Sequence, residues 1–317
     1  MPGTALDKSG LDGQPICQFD PPDNCIDQAV LGGFGSALAY TGLDSVFLAA
    51  PDRGPFDGRT DVPYRDRVHY MHLRVNASAP PNINLPNITT TLLDTIFLKG
   101  TANLDLVGSS SDFDARFDPE GAAVGGDGSF YISDEYGPAI LQFNRQGHLI
   151  RRIPVPSKFL IANPSGDVYS DGTTSFELDP SLNTSGRQAN RGMEGLAISP
   201  DGRYLFGLMQ NALIQDNGLD YAPLSATPLG PPGRKGLNTR LLKVDLVTGA
   251  TWEYVYVVDA IGNGRGLNDL LGTLCRRGEA CRWSWRQRGY VVRRSQYRVE
   301  NAQHAGARLR SRWCQCR

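Results

Sequence analysis

The sequence lacks any sustained helical pattern and any long apolar run. Apolar residues do not recur at the spacing of an amphipathic helix, and no apolar stretch approaches the roughly 18 residues that a membrane-spanning helix needs. The chain instead contains 36 Gly and 21 Pro among its 317 residues. This composition predicts one large all-β domain of short strands and turns, with no membrane partner.

Basic residues are scarce outside the C-terminal end of the chain. The net charge of −1 conceals a tail, Cys275 to Arg317, that holds 12 Arg, no Lys and only two acids. The remaining body has 20 basic and 31 acidic residues, a net charge of −11. So acidic a body excludes non-specific nucleic-acid binding as its function.

The residues of a serine hydrolase are also missing. No G-x-S-x-G motif occurs, and the body of the chain contains only three histidines, His69, His72 and His148. None of them is next to an acidic motif. A Ser-His-Asp triad is therefore not expected.

Only two cysteines, Cys17 and Cys25, precede the tail. They lie eight residues apart in a segment rich in Pro and Asp, and we expect them to form a disulfide, with two free thiols as the alternative. Glycosylation sequons begin at Asn76, Asn87 and Asn183. The first residues have neither the basic nor the apolar region of a signal peptide. Because cysteines and sequons favour a secreted protein, we expect that a leader is missing from this chain.

Acidic residues are grouped around one predicted hairpin. The turn Gly125–Gly128 separates two short runs rich in small and β-favouring residues. Glu120 begins the first run, and Asp134 and Glu135 end the second. A tight turn would bring these three carboxylates to one end of the hairpin, where a cation, a basic group or a substrate must compensate them.

The same plan recurs along the chain. Residues 192–208 repeat it, with Glu194-Gly195 before a small apolar run and an Asp-Gly turn. A looser copy covers 35–55, and another begins at Gly264. Repeats roughly 70 to 85 residues apart, each with several strands, favour a β-propeller with long insertions in its blades.

The motifs D-P-E-G, S-D-E-Y-G-P and G-M-E-G-L-A together resemble the phytase-like family, which is also described by its esterase-like activity. The resemblance extends over about residues 31–271, after an N-terminal arm of residues 1–30. It implies a hydrolase-like β-propeller, often secreted, with six or seven blades when complete. Asp52-Arg53 resembles a family turn near the proposed site.

A cation site is the first hypothesis for these acids. In a propeller the ends of the innermost strands meet at a central channel, and Ca²⁺ takes about six to eight oxygen ligands. We expect metal ligands at Glu120, Asp134, Glu135 and Glu194, and catalytic roles for Glu120, Glu194, Asp134, Asp52 and Arg53. Arg191 would bind substrate phosphate. This set predicts a monomer that hydrolyses phosphoric esters with the help of a metal.

Two other functions fit the same residues. A carboxylic-ester or lactone hydrolase would use a channel cation together with Asn211, Asn268 and Asp269. A non-enzymatic propeller would bind a ligand or partner, and its acids would cap backbone N–H groups, with Gly following because the turn needs it.

The pattern breaks down after Leu271. Residues 272–317 lack Pro and Asp-Gly turns, and the spacing of their four cysteines is poor for a zinc site. A basic, cysteine-containing arm is one interpretation. The codons of 275–283, read one base later, permit Val-Val-Val-Glu-Arg, which is the strand that the repeat predicts next. We therefore expect an out-of-frame tail and a truncated propeller that exposes strand edges.

Overall fold

The computed structural model describes residues 5–18, 24–33, 36–56, 63–75, 88–108, 115–163, 181–188, 190–216, 236–258 and 266–272, and only the backbone of 285–287 and 290–292. Within these residues the only helices are three single 3₁₀ turns, Thr101–Asn103, Ser157–Phe159 and Ile214–Asp216. The expected all-β class is confirmed.

The described residues form nineteen strands. In chain order they are β1 Pro15–Cys17, β2 Cys25–Asp27, β3 Ala37–Tyr40, β4 Val46–Ala50, β5 Tyr64–Arg65, β6 Arg67–Val75, β7 Ile88–Phe97, β8 Val107–Gly108, β9 Pro119–Val124, β10 Phe130–Asp134, β11 Ala139–Phe143, β12 Leu149–Ile153, β13 Met193–Ile198, β14 Tyr204–Ala212, β15 Asn238–Asp245, β16 Thr251–Val257, β17 Leu267–Leu270, β18 Trp285–Gln287 and β19 Tyr290–Val292.

Most strands belong to antiparallel sheets whose strands follow chain order. Three sheets have four strands, β3-β4-β6-β7, β9-β10-β11-β12 and β13-β14-β15-β16, and a fourth has three, β17-β18-β19. Two small sheets pair β1 with β2 and β5 with β8. The predicted hairpins 117–138 and 192–208 are therefore confirmed as β9-β10 and β13-β14. Their tight turns use Gly128 and Gly202 at positive φ.

The sheets pack on one another through apolar side chains. Leu48 of the first sheet shares a cluster with Phe130 and Phe143 of the second, and Ile140 of the second shares another with Met193 of the third. Every residue of β10 and β11 is buried, because this sheet is covered on both faces. Burial of each such aromatic or aliphatic side chain contributes about 1.5–3 kcal/mol.

The first strand of each large sheet lies on the inside of the assembly. β9 contacts β3, β13 and β17, and β13 also contacts β17. The start of each inner strand therefore lies close to the starts of the others, and the predicted acidic residues are located there. The expected number of blades, six or seven, stays a prediction.

The N-terminal arm packs against the first sheet rather than extending from it. Cys17 and Cys25 form the predicted disulfide between β1 and β2. The carboxylate of Asp7 lies 2.8 Å from the guanidinium of Arg67, and both side chains are buried. The backbone N–H of Lys8 donates to the Thr95 hydroxyl. These contacts fix the arm on β6 and β7.

The C-terminal tail lies almost wholly outside the described residues. β18 pairs with β17 across a register shift, β19 pairs with β18, and the structure describes nothing further of residues 273–317. The out-of-frame tail stays a prediction.

Candidate functional site

A polar cavity of about 330 Å³ opens where the inner strands begin. Its walls come from β9, β13, β14 and β17 and from the segments that flank β3, β4, β10 and β13. The lining residues are Gly33, Ser36, Asp52, Arg53, Glu120, Glu135, Asn190, Glu194, Gln210 and Asn268.

Three buried glutamates, Glu120, Glu135 and Glu194, form the centre of this cavity. Each offers a carboxylate oxygen, and these three oxygens lie within 4.8 Å of one another. Burial raises the pKa of Glu120 and of Glu194 well above the usual range, and the neighbouring carboxylates raise it further. Burial also raises the pKa of Glu135, against the opposing effect of Arg53. The cluster therefore retains protons unless another cation compensates its charge.

Two glycines explain why an acid-Gly pair recurs in the sequence. A Cβ on Gly121 would lie 2.6 Å from the carbonyl oxygen of Glu194, and a Cβ on Gly195 would lie 3.1 Å from the carbonyl carbon of Asp269. Both glycines are inside strands, so they serve close packing of adjacent inner strands and not a turn. In each acid-Gly pair the glycine allows the neighbouring strand to approach closely, and the acid before it faces the cavity.

Arg53 lies within a second group of acids, next to the three glutamates. Asp52, Asp118 and Glu120 also present oxygens within 4.8 Å of one another. Arg53 Nη1 donates to Asp118 at 2.9 Å and to Asp52 at 3.2 Å, and lies 3.9 Å from Glu135. Asp118 is fully buried, and burial raises its pKa well above the usual range although Arg53 opposes this. The guanidinium is thus the cation of this group.

Asp118 was not predicted as a site residue. It was visible as the first residue of the D-P-E-G motif, where an acid two positions before Glu120 was the available signal. In the strand β9 and its approach, alternate residues share a face, so Asp118 and Glu120 lie on the same side.

Asp134 does not join the cluster that was predicted for it. Its Oδ1 accepts the backbone N–H groups of Asp118 and Tyr136, at 3.0 and 3.2 Å, and its Oδ2 accepts that of Gly137 at 3.2 Å. Burial raises its pKa to about 6, opposed by these N–H groups. Asp134 therefore fixes the corner after β10, which was the capping role foreseen as an alternative.

Arg191 also differs from its predicted role as a substrate contact. It does not line the cavity; its Nη1 donates to Gln210 Oε1, and Gln210 Nε2 donates in turn to Glu194 Oε1. Gln210 lines the cavity, and no signal in the sequence distinguished it from other glutamines.

Of the two predicted asparagines, one lines the cavity and the other does not. Asn268 lines the cavity, and its buried Oδ1 accepts no hydrogen bond from the described residues. Asn211 is buried in β14 outside the lining, where its carbonyl accepts the hydroxyl of Thr239 at 3.0 Å. Asp269 accepts the backbone N–H of Leu270.

The glycosylation sites can be placed at one position only. Asn76 and Asn87 lie outside the described residues. Asn183 is buried, and its side-chain amide exchanges two hydrogen bonds with the backbone of Asn163, at 2.8 and 3.0 Å. A glycan on Asn183 would require this amide to leave its place, so the fold does not favour that sequon.

The glutamate cluster has the donor set of a hard-cation site. Its ligands are anionic oxygens, it is buried, and Asn268, whose amide oxygen accepts no hydrogen bond from the described residues, lines the same cavity. Buried like charges at such distances need compensation, which a divalent cation supplies. Glu120, Glu135 and Glu194 therefore fit a metal ion.

Comparisons with known proteins give a family and one curated relative. The family described as "Phytase-like: Esterase-like activity of phytase" matches residues 29–274. An uncharacterized secreted protein of Arthroderma benhamiae is 26% identical over 285 residues, which covers 74% of this chain and 53% of the relative. The chain thus spans about half the length of the curated relative it matches. Among the described residues no helix is long and apolar enough to cross a membrane.

Solved structures give weaker likenesses. A putative glucose dehydrogenase of Thermus thermophilus matches with a TM-score of 0.32 and 14% identity, covering 83% of this chain and 81% of that chain. A protein of unknown function from Bacteroides thetaiotaomicron matches with a TM-score of 0.32 and 11% identity, covering 89% and 72%. Both TM-scores are low, so neither likeness bears on fold or function.

Proposed function

Because the chain belongs to the phytase-like family, we propose that its acidic cavity hydrolyses phosphoric esters with the help of a divalent cation, Ca²⁺ first. The observation that carries this proposal is the group of three buried glutamates within 4.8 Å of one another, in a cavity that Arg53 also lines. A bound Ca²⁺ would withdraw charge from the ester oxygens and offset the negative charge of the cavity.

Glu120, Glu135 and Glu194 would hold the cation. They come from two adjacent inner strands and the corner after β10, all fixed by the packed sheets. Carboxylates fixed in this way would keep their places without reorganisation during the reaction.

Arg53 would bind and orient the phosphate. Its side chain is about one-sixth exposed, at 16%, and the carboxylates of Asp118 and Asp52 fix its guanidinium. A guanidinium held in this way presents a fixed positive charge to phosphate oxygens, with little side-chain entropy still to lose.

Asp52 would take the proton of the attacking water. Its side chain is 45% exposed, the most open of the carboxylates that surround Arg53. In the proposed step the water oxygen bonds to phosphorus, the bond from phosphorus to the alcohol oxygen breaks, and the water proton passes to Asp52. The leaving alkoxide takes a proton from solvent.

A carboxylic-ester or lactone hydrolase is the second candidate. The observation in its favour is the charge of the lining, in which four acids face one basic side chain, Arg53. A neutral ester meets less repulsion there than a phosphate, and the amides of Asn190, Gln210 and Asn268 offer donors to a carbonyl oxygen.

The fold and setting of the protein belong to the same proposal. The four large sheets, with their first strands in mutual contact, would be blades of a β-propeller, and the cavity would be one mouth of its channel. The secreted relative and the disulfide support an extracellular location. A monomer that acts on a small molecule is part of the same proposal.

The test compares two substrates with and without Ca²⁺. Phosphate release from phytate and cleavage of p-nitrophenyl acetate would be measured for the wild type, Glu194→Gln and Glu253→Gln. Glu253, on β16, is a matched control, since it forms ion pairs with Lys158 and Arg240. Chelator-sensitive phosphate release that Glu194→Gln alone abolishes supports the proposal. Ester cleavage alone supports the second candidate, and a folded protein inactive on both would be a ligand-binding propeller.

A further inference from the structure

A chain of three buried side chains reaches from outside the cavity to one of its glutamates. Arg191 Nη1 donates to Gln210 Oε1, and Gln210 Nε2 donates to Glu194 Oε1. Arg191 is 8%, Gln210 3% and Glu194 4% exposed. Of the three, Gln210 and Glu194 line the cavity.

The chemistry of the three groups fixes the direction of the hydrogen bonds between them. A guanidinium can only donate hydrogen bonds, and an ionised carboxylate can only accept them. The Gln210 amide has one end of each kind, so its oxygen must face Arg191 and its NH₂ must face Glu194. A carboxylate with one oxygen held by a donor has its plane and rotamer fixed.

The backbone around Gln210 is arranged to hold its side chain in this place. Its N–H donates to the carbonyl of Gly192 at 2.9 Å, two residues before Glu194. A Cβ on Gly266 would lie 2.6 Å from Gln210 Cγ, so the glycine leaves room for the glutamine. The side chain is therefore enclosed between β13, β14 and the start of β17.

We infer that Gln210 and Arg191 are positioning residues that hold the Glu194 carboxylate in the orientation in which it would serve as a cation ligand. The inference rests on the proposed function. Arg191 then acts on the glutamates and not on substrate, both through Gln210 and through its charge, which opposes the rise in the pKa of Glu135 and Glu194. A loss of either residue acts on cation affinity first.

The test is calcium titration calorimetry on the full chain at pH 7.5. Wild type would be compared with Gln210→Met, Arg191→Met and the double variant, each checked for folding by its melting curve. We expect each single variant to weaken Ca²⁺ binding about 10- to 100-fold, the usual effect of residues that orient metal ligands. The double variant should lose less affinity than the sum of the two single losses, because both changes break one chain.

A matched control is available in the neighbouring sheet. Arg151 donates to Gln142 at 2.8 Å, and Gln142 donates to the Ser129 hydroxyl at 3.0 Å. This second chain also runs from an arginine through a glutamine, but it ends on a hydroxyl and lies away from the cavity. Gln142→Met should leave Ca²⁺ affinity unchanged. If Arg191→Met does not fold, Arg191→Lys replaces it and should lose less affinity, because a donor and its charge remain.

A second measurement separates positioning from substrate contact. At saturating Ca²⁺ the KM for phytate of Arg191→Met should equal that of wild type, and activity should fall only when Ca²⁺ is limiting. Full Ca²⁺ affinity in folded Gln210→Met, or additive losses in the double variant, would overturn the inference while leaving the proposed function standing. A wild type that binds no Ca²⁺ would overturn both.

Discussion

Arg53 Nη1 lies 2.9 Å from Oδ2 of Asp118, a carboxylate with no exposed surface that is 65 residues away in sequence. The same nitrogen lies 3.2 Å from Asp52. Because this guanidinium already neutralises the Asp52-Asp118 side of the cavity, only the side of Glu120, Glu135 and Glu194 requires an external cation. We therefore expect a single metal ion in this cavity.

Removal of Arg53 should lower the free energy of unfolding. Arg53→Met leaves the Asp118 carboxylate buried without its partner, and the loss of one member of such a pair costs about 3–5 kcal/mol. Urea unfolding followed by tryptophan fluorescence measures this. Arg203→Met is the control, since Arg203 pairs with Asp245 while more than half exposed, and it should cost only a small fraction as much. Equal losses in the two variants would contradict the buried pairing.

Gly121 should not tolerate even one methyl group. In Gly121→Ala the Cβ would meet backbone atoms of Glu194 and Leu196 at 2.6 and 2.7 Å, so two inner strands must separate, at about 1–3 kcal/mol. Gly126→Ala, in the turn of the same hairpin, meets nothing within 4 Å and should be close to neutral. Melting temperatures of the two variants decide this. A Gly121→Ala protein as stable as the wild type would show that the strands are not so closely packed.

Asp134 and Glu194 should respond in opposite ways to neutralisation. Asp134→Ala removes the acceptor of three backbone N–H groups, each worth roughly 1–3 kcal/mol if left unsatisfied, so it should lower the melting temperature. Its Ca²⁺ affinity should stay near that of wild type. Glu194→Gln relieves repulsion between buried acids, so it should raise the melting temperature measured in chelator. Its Ca²⁺ affinity should fall. A loss of Ca²⁺ affinity in stable Asp134→Ala would restore the metal role first predicted for Asp134.

The stability of the chelated protein should fall as pH rises. Burial raises the pKa of Glu120 and Glu194 above the usual 4.5, so above about pH 4.5 the folded chain binds more protons than the unfolded chain. The free energy of unfolding then decreases with pH until the folded-state pKa values are passed. His69 acts in the opposite sense below pH 6.5, because burial lowers its pKa to about 4.

The contribution of the glutamates is isolated by comparison. Melting temperatures of wild type and Glu194→Gln, measured in chelator from pH 5 to 8, should diverge, with the wild type losing more. Ca²⁺ should restore the wild type at pH 8 and leave Glu194→Gln unchanged. Parallel curves for the two proteins would mean that Glu194 ionises as an ordinary surface acid.

Local patterns predicted the strands well because the hairpins are local structures. The turns at Gly125–Gly128 and at Asp201-Gly202 separate runs of β-favouring residues, and both became hairpins with the expected bounds. Glu120, Glu135 and Glu194 followed from position, since Glu120 and Glu194 stand near the starts of inner strands and Glu135 directly follows β10. The acid-Gly repeat was identified, although its cause, close strand packing, was not.

The remaining site residues depend on contacts that are distant in sequence. Gln210 matters only because β14 places it between Arg191 and Glu194, and a single sequence contains no mark of that contact. Arg191 could be recognised as a basic residue near an acid motif. The sequence did not show that it lies behind Gln210 and does not line the cavity. Asp134 and Glu135 are adjacent, so on opposite sides of the chain, and sequence alone did not show which of them faces the cation.

The central claim, that Glu120, Glu135 and Glu194 hold a single cation, is tested most directly by an anomalous difference map from crystals grown with Tb³⁺ in place of Ca²⁺. The account predicts one strong peak in the cavity, enclosed by these three carboxylates, and no peak beside Asp52 and Asp118. A cavity without a peak between the glutamates, or a peak on the Arg53 side, would contradict it.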